Sequence, residues 1–400
     1  MNGRVLPIAA ACWVLCAPPG LVSPASGALI YVDPVNGDDA TGQRGQPDKP
    51  FKTIFHYDDG GDEGSPSTNG ALTVVQYGDV IKLSAGVITN DQSIALPPNC
   101  SLIGSGKRAT ILRSAAGIYA YGPVVQPGDN AVVAGLSIEC TRDGDTFRSP
   151  LGISYVKSRS VPGTTRPFTN VVVYDVMLNG QSDGVYIDHT NTITATFCNV
   201  EIESDWDGVL FSTRGNTSSQ LEFYNCSISV QSRDTIMHSY ASGLVLDEGT
   251  TRWFGGQIAV KDGPESTFAV WARRPGSRVE LYGTRLYTPS TNGWVYDIGN
   301  VGNMKIFDTM LDTNKIANLG TIAIYNWQPS NPGGLSIVSH SLPRVTLSGM
   351  LGSDYQIDVS TNLIDWSPFL ILPNAYGTLQ FIDLTATNYP ARFYRTRFSP

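Results

Sequence analysis

The chain has 400 residues and a formal net charge of −8, with 41% hydrophobic but only 16% charged residues, 41 Gly and 25 Pro. Few charges with abundant glycine and proline exclude a protein of long solvated helices and fit many short strands joined by tight turns. An acidic chain without a basic run has no electrostatic footprint for nucleic acid or anionic lipid, so neither is expected as a partner.

Arg4 precedes an apolar run from Val5 to Ala17, broken only by Pro7, and a small-residue stretch Ala25-Ser26-Gly27-Ala28 follows. This is the layout of a secretory leader, residues 1–28, cleaved after Ala28 and too short for a membrane span. The expected location is outside the cytoplasm: extracellular, cell surface or periplasm. Cys12 and Cys16 belong to the leader. Cys100, Cys140, Cys198 and Cys226 have the spacing of neither a zinc site nor a disulfide framework, and separate thiols are favoured over a bridge.

Residues 29–86 follow as Tyr31-Val32-Asp33, Asn36-Gly37-Asp38-Asp39, Pro50-Phe51-Lys52-Thr53-Ile54, Ala71-Leu72 and Gly78-Asp79-Val80-Ile81-Lys82-Leu83, then Gly86. This series resembles the N-terminal segment of the pectin-lyase-like superfamily. The resemblance implies a first strand, a short amphipathic capping helix and the first coil of a right-handed solenoid. Residues 55–70, rich in Asp, Gly and Ser, read as a surface loop.

From about residue 130 the sequence repeats. Six segments share one register: Val173 to Leu178, Phe197 to Ile202, Phe223 to Ile228, Trp253 to Ile258, Leu281 to Leu286 and Ile306 to Leu311. Their third residue is Asp175, Asn199, Asn225, Gly255, Gly283 or Asp308, with Gly135 fitting upstream. Only Asp, Asn and Gly tolerate φ > 0 readily, so this position marks a sharp bend between two short strands whose apolar ends point inward. Successive bends lie 24, 26, 30, 28 and 25 residues apart.

A second strand recurs at Gly152-Ile153, Gly184 to Ile187, Gly208 to Phe211, Gly243 to Leu246 and Gly293 to Tyr296, with Thr267 to Val270 as the irregular copy. Two strand columns at constant offset define a parallel β-helix, whose coils stack about 4.8 Å apart around one core. An antiparallel sandwich would need turns every ~8–12 residues instead.

The period stops after about residue 330, where Ser330-Asn331-Pro332-Gly333-Gly334 reads as a linker. Alternating residues beyond it (Val345, Leu347; Tyr355, Ile357, Val359; Leu379, Phe381), with Trp366 and Arg392 to Arg395, resemble a small β-sandwich module of secreted bacterial proteins. The expected fold is thus all-β: a right-handed single-stranded parallel β-helix over 29–330 with an N-terminal capping segment, and a β-sandwich over 331–400.

The pectin-lyase-like superfamily includes pectate lyases, galacturonases and phage depolymerases as well as proteins without catalysis, so the resemblance implies carbohydrate without fixing function. Val185-Tyr186-Ile187-Asp188-His189 resembles a Val-Trp-Ile-Asp-His string of pectate lyases, but occupies a different strand column, and the galacturonase strings are missing. Stacking the second strands gives a column Asp188, Ser212, Asp247, Trp271, Asp297, then one with His189 and Glu248, with Arg214, Arg273 and Arg274 beside them. Asp188 and Asp247 would lie two coils apart, about 9.6 Å, near the separation of an inverting glycosidase pair.

In that reading Asp188, Asp247 and Arg214 are the catalytic candidates, and His189, Trp271, Arg273, Glu248 and Asp297 contact substrate: carboxylates act as acid and base, arginine grips an anionic sugar and Trp stacks on a ring. The alternative is a row of solvated, mutually neutralising turn residues. Asp183 and Asp207 share one turn position, with Asp205 nearby, which would suit calcium as a cofactor. Asp before Gly is also the commonest way to make the turn, and that reading is preferred, so no metal ligand is assigned. His56, His238 and His340 are isolated and show no ligand spacing.

The function read from the sequence is a secreted carbohydrate-directed β-helix, a lyase or hydrolase of an acidic polysaccharide. The alternative is a non-catalytic extracellular surface, adhesive or polysaccharide-binding protein. Oligomeric state is not encoded legibly.

Overall fold

The computed structural model describes residues 27–54, 70–90, 94–114, 123–140, 149–154, 168–231, 240–261, 263, 266–289, 294–325, 334–337, 344–348, 353–374, 378–383, 386, 389 and 392–399. Most of residues 1–28, nearly all of 55–70, most of 330–334 and His56, His238 and His340 lie outside the described residues.

Each coil contributes three strands. In the best-defined coil they are Ile193–Cys198, Glu201–Ser204 and Asp207–Ser212. The first two belong to a 17-stranded parallel sheet folded along the bends, and the third to a nine-stranded parallel sheet facing it. Each strand pairs in parallel with its equivalent one coil on, for example Phe197 with Phe223, Phe223 with Trp253 and Trp253 with Leu281. Parallel strands joined by a crossover in this way wind right-handedly. The fold is the right-handed parallel β-helix that the repeat and the resemblance implied.

The bends behave as their chemistry requires. Asp175, Asn199, Asn225 and Asp308 have φ between 46° and 53°, and Gly135, Gly255 and Gly283 have φ of 63°, 69° and 57°. Asn199 Nδ2 also donates to Asp175 Oδ1 at 2.9 Å, tying one bend to the next. Val173, Phe223, Leu281 and Ile306 are all fully buried. Phe197, Phe223 and Trp253 stack at ring separations of 4.6 and 4.4 Å along the axis. Burial of side chains this size stabilises by about 1.5–3 kcal/mol each.

At the N-terminal end, Leu29–Val32 pairs in parallel with Val80–Leu83, and Phe51 bridges to Val32. In the capping segment the described residues include one 3-10 turn, Ala71–Thr73, with Ala71 buried. The end is pinned by Asp79, fully buried, which takes two 2.6 Å bonds from Arg44 and backbone N–H bonds from Ala28 and Gln76.

Cys100, Cys140 and Cys226 are buried free thiols. The C-terminal strands form two three-stranded antiparallel sheets, one of 334–337, 344–348 and 378–382, the other of 353–360, 367–374 and 393–399. Val345 of one sheet and Tyr355 and Ile357 of the other share a small core, the sandwich expected there.

Candidate functional site

The outer face of the nine-stranded sheet is set by a row of small residues. Gly184, Gly208, Gly243 and Ala269 lie in register across four coils. A Cβ at Gly184, Gly208 or Gly243 would fall 2.1, 2.3 or 2.1 Å from Cγ2 of Ile202, Ile228 or Ile258 on the folded sheet. Neighbouring strand residues face opposite ways, so the residue before each small one is turned out of the core. Those residues are Asp183, Asp207, Ser242 and Phe268.

Asp183 and Asp207 therefore project one coil spacing apart, about 4.8 Å, and only 7% and 3% of their surfaces are exposed. Burial, with only partial relief from Arg273 and Ser242 and with repulsion from Asp247, pushes the Asp207 carboxyl up to about 7. Burial and the neighbouring Asp207 push Asp183 well above the ordinary carboxylate range. Oδ1 of Asp207 is buried with no hydrogen-bond partner among the described residues. Two like charges this close in a poorly solvated place cannot both ionise easily, so near neutral pH the pair retains a proton.

Arg273 faces this pair. It donates from Nε to Asp247 Oδ1 at 2.6 Å and from a terminal nitrogen to Asp247 Oδ2 at 2.9 Å, and its guanidinium lies 5.3 Å from the Trp271 ring. Trp271 stacks on Phe268 at 4.5 Å and meets Tyr240 edge-on at 5.3 Å. Phe268 in turn stacks on Tyr296 at 5.5 Å. Gly299, opposite Trp271, leaves the room these rings occupy: a Cβ there would lie 2.7 Å from Phe268 and 3.0 Å from Trp271. The Tyr240 hydroxyl is raised by burial and by the nearby Asp207 charge. Acid pair, arginine and aromatic wall thus share one face.

The residues expected from the sequence divide. Asp188 pairs in register with Ser212, and Asp247 follows one coil on. Trp271 does not continue that column: it lies opposite Val245, and Arg273 is the residue following on from Asp247. Asp297 is displaced further, falling between the Phe268–Tyr296 and Val270–Ile298 pairs. The slips are of two and four residues, and an even slip preserves the inward and outward alternation from which the columns were aligned.

Asp188 is closed off by Arg214, whose Nε and terminal nitrogen donate to its two oxygens at 2.5 Å each. Glu248 accepts the backbone N–H of Gly215, and His189 Nδ1 accepts that of Asn191 at 2.9 Å. Asp297 takes bonds from Thr288 Oγ1 at 2.5 Å and the Asp312 N–H at 2.6 Å. These three hold turns. Asp183 and Asp207 were read as turn residues, and Tyr240, Phe268 and Tyr296 carried no sequence signal. Among the described residues no three acidic, His or Cys side chains converge as metal ligands, and no helix is long and apolar enough to cross a membrane.

No known family and no curated protein matches the chain. Solved structures do. A pectate lyase is 12% identical with a TM-score of 0.40, over 80% of this chain and 82% of that one. Pectin methylesterase PemA of Erwinia chrysanthemi is 13% identical with a TM-score of 0.33, over 76% and 81%. Tailspike protein 2 of Escherichia coli O157:H7 bacteriophage CAB120 is 11% identical with a TM-score of 0.37, over 80% of this chain and 59% of the tailspike. The chain thus matches only part of the tailspike's length.

Proposed function

We propose that this is a polysaccharide-directed β-helix whose working surface is the outer face of the nine-stranded sheet, with Asp183 and Asp207 as its acid–base pair. The observation that carries the reading is the buried, stacked pair itself: a carboxyl held protonated near neutral pH can donate to a leaving oxygen while its partner accepts a proton. A separation near one coil spacing, about 4.8 Å, is close to that of retaining glycosidases, where the ionised partner would bond to the anomeric carbon as the protonated one gives its proton to the departing oxygen, and water would then release the sugar. The same acid and base also suit β-elimination at a uronate. Asp188 and Asp247, each forked by an arginine, are positioning groups in this reading, and Trp271 offers a ring to a sugar.

Export through the leader 1–28 belongs to the proposal, as does the division into a solenoid over 29–330 and a module over 331–400. A second reading, a non-catalytic polysaccharide-binding surface protein, is favoured by how little of Asp183 and Asp207 is exposed. The test incubates the mature protein with uronate-containing polysaccharides and follows unsaturated-product absorbance and reducing ends. Turnover that disappears in Asp207→Asn and Asp183→Asn variants of undiminished melting temperature supports the catalytic reading. Binding without either product supports the second, and parental turnover in both variants overturns the assignment of the pair.

A further inference from the structure

The folded sheet carries a second candidate site, on the other side of the solenoid from the acidic pair. Along the column of bends lies a groove of about 480 Å³, whose lining includes Asn199, Asn225, Ser227, Gln257, Arg285 and Met310. It follows from the repeat. The second residue beyond each bend points outward, and these residues are in register: Glu201 with Ser227, Ser227 with Gln257, Gln257 with Arg285 and Arg285 with Met310. The row therefore spans four coil spacings, about 19 Å.

Its middle is polar, with Arg285 lying 5.3 Å from the Tyr287 ring. Asn225, Gln257 and Arg285 are exposed, and with Ser227 their side chains have no hydrogen-bond partner among the described residues. Gly256 sits in the floor at φ 69°, where a Cβ would strike the Cys226 carbonyl at 1.9 Å, so the floor there is bare backbone. Beside its N-terminal end Lys107 Nζ donates to the Asn199 carbonyl at 2.8 Å and to Glu201 at 3.0 Å, with Asp175 at 3.5 Å.

Three properties identify the ligand class. Carboxamides and a hydroxyl donate and accept equally well, as sugar hydroxyls require. The charge of Lys107 is already taken up by Glu201 and Asp175, leaving Arg285 as the cation of the row, which is not an anion-binding array. A peptide strand has nothing to pair with, because the bend amides are all used between coils: Asn225 N–H to Phe254 O at 2.9 Å, Gly255 to Tyr282 at 2.7 Å and Gly283 to Phe307 at 2.8 Å. The geometry points to a groove for an extended neutral glycan running parallel to the solenoid axis, one polar group per coil. This site stands independently of the Asp183–Asp207 reading.

The experiment is affinity electrophoresis of the mature protein in native gels containing a soluble cellulose-type glucan, a galactomannan or polygalacturonate. The parent should be retarded by a neutral glycan. Gln257→Trp, a bulky residue at an exposed strand position, and the double variant Ser227→Ala with Gln257→Ala should each weaken that retardation at least about tenfold. Absence of retardation by either neutral glycan, retardation by polygalacturonate alone, or neutral retardation that survives Gln257→Trp in a variant melting like the parent would each overturn the proposal.

Discussion

Arg273 reaches back across one coil boundary to grip both oxygens of Asp247, at 2.6 and 2.9 Å. The same fork recurs between Arg214 and Asp188, again 26 residues apart and at 2.5 Å twice. The two pairs differ in surroundings. The Arg273 side chain is 24% exposed and also faces Asp207 and Asp183, whereas that of Arg214 is 43% exposed.

Arg273→Ala should therefore cost about 2–3 kcal/mol, since it leaves three clustered carboxylates without their cation. Arg214→Ala should cost less, about 1–2 kcal/mol, since the Arg214 side chain is 43% exposed although Asp188 is only 9% exposed. Urea midpoints of the two variants measure the difference. Equal losses would mean that Arg273 serves only as a surface fork.

Much of this architecture is legible in the sequence, because Asp175, Asn199, Asn225, Gly255, Gly283 and Asp308 are the residue types that a left-handed bend admits, and all have positive φ. The second strand column was less legible. Aligning Thr267 with Gly243 keeps every apolar residue inward, yet the true partner is Ala269. The missing constraint is steric: the position facing Ile202, Ile228 and Ile258 must be small, and in the irregular coil only Ala269 satisfies it. Asp183 and Asp207 were visible as Asp-Gly pairs, but a turn and a buried proton-sharing pair look alike until burial is known.

That steric constraint gives a sharp prediction. Gly243→Ala would bring a Cβ to 2.1 Å from Ile258 Cγ2 and 2.5 Å from the Ala269 carbonyl, and it should destabilise by about 1–3 kcal/mol. Gly276→Ala meets nothing nearer than 3.3 Å, at Glu248, and has no positive φ, so it should change stability by less than about 0.5 kcal/mol. Thermal melts compare the two. If Gly243→Ala melts like the parent, the glycine column does not control how closely the sheets approach.

The axial ring stack offers a test of core continuity. Phe223 lies between Phe197 and Trp253 at 4.6 and 4.4 Å and is fully buried. Phe223→Ala removes both ring contacts and leaves a cavity, so a loss of about 3–5 kcal/mol is expected. Phe254→Ala, on the outward ladder between Tyr224 and Tyr282 and only half-buried, should lose no more than about half as much. Similar denaturation midpoints for the two variants would contradict the assignment of inner and outer faces.

The carboxylate pair fixes the sign of one pH effect. Asp207 is raised in the fold to about 7, well above the ordinary carboxylate range, chiefly by burial. In the unfolded chain it ionises near its ordinary value. Between these two values the folded protein binds the proton that the unfolded chain has released, so this group's contribution makes stability fall as pH rises through the window. The contribution is fully present below the unfolded pKa and is gone above about 7. Asp183, raised in the same direction by burial and by Asp207, adds to the fall. Asp79 works oppositely: its burial is outweighed by bonds from Arg44 and from the Gln76 N–H, so its carboxyl is lowered. Its contribution is lost only in acid, as pH falls through that lowered value, and it leaves the neutral window untouched. Asp207→Asn keeps the shape of the side chain and removes the titration. Urea midpoints measured at about pH 5 and about pH 8 should therefore decline more for the parent than for Asp207→Asn, with the variant gaining relative stability at the higher pH. Identical declines in the two proteins would show that Asp207 is solvated and ionised like any surface turn residue, and the acid–base reading of the pair would fall with it.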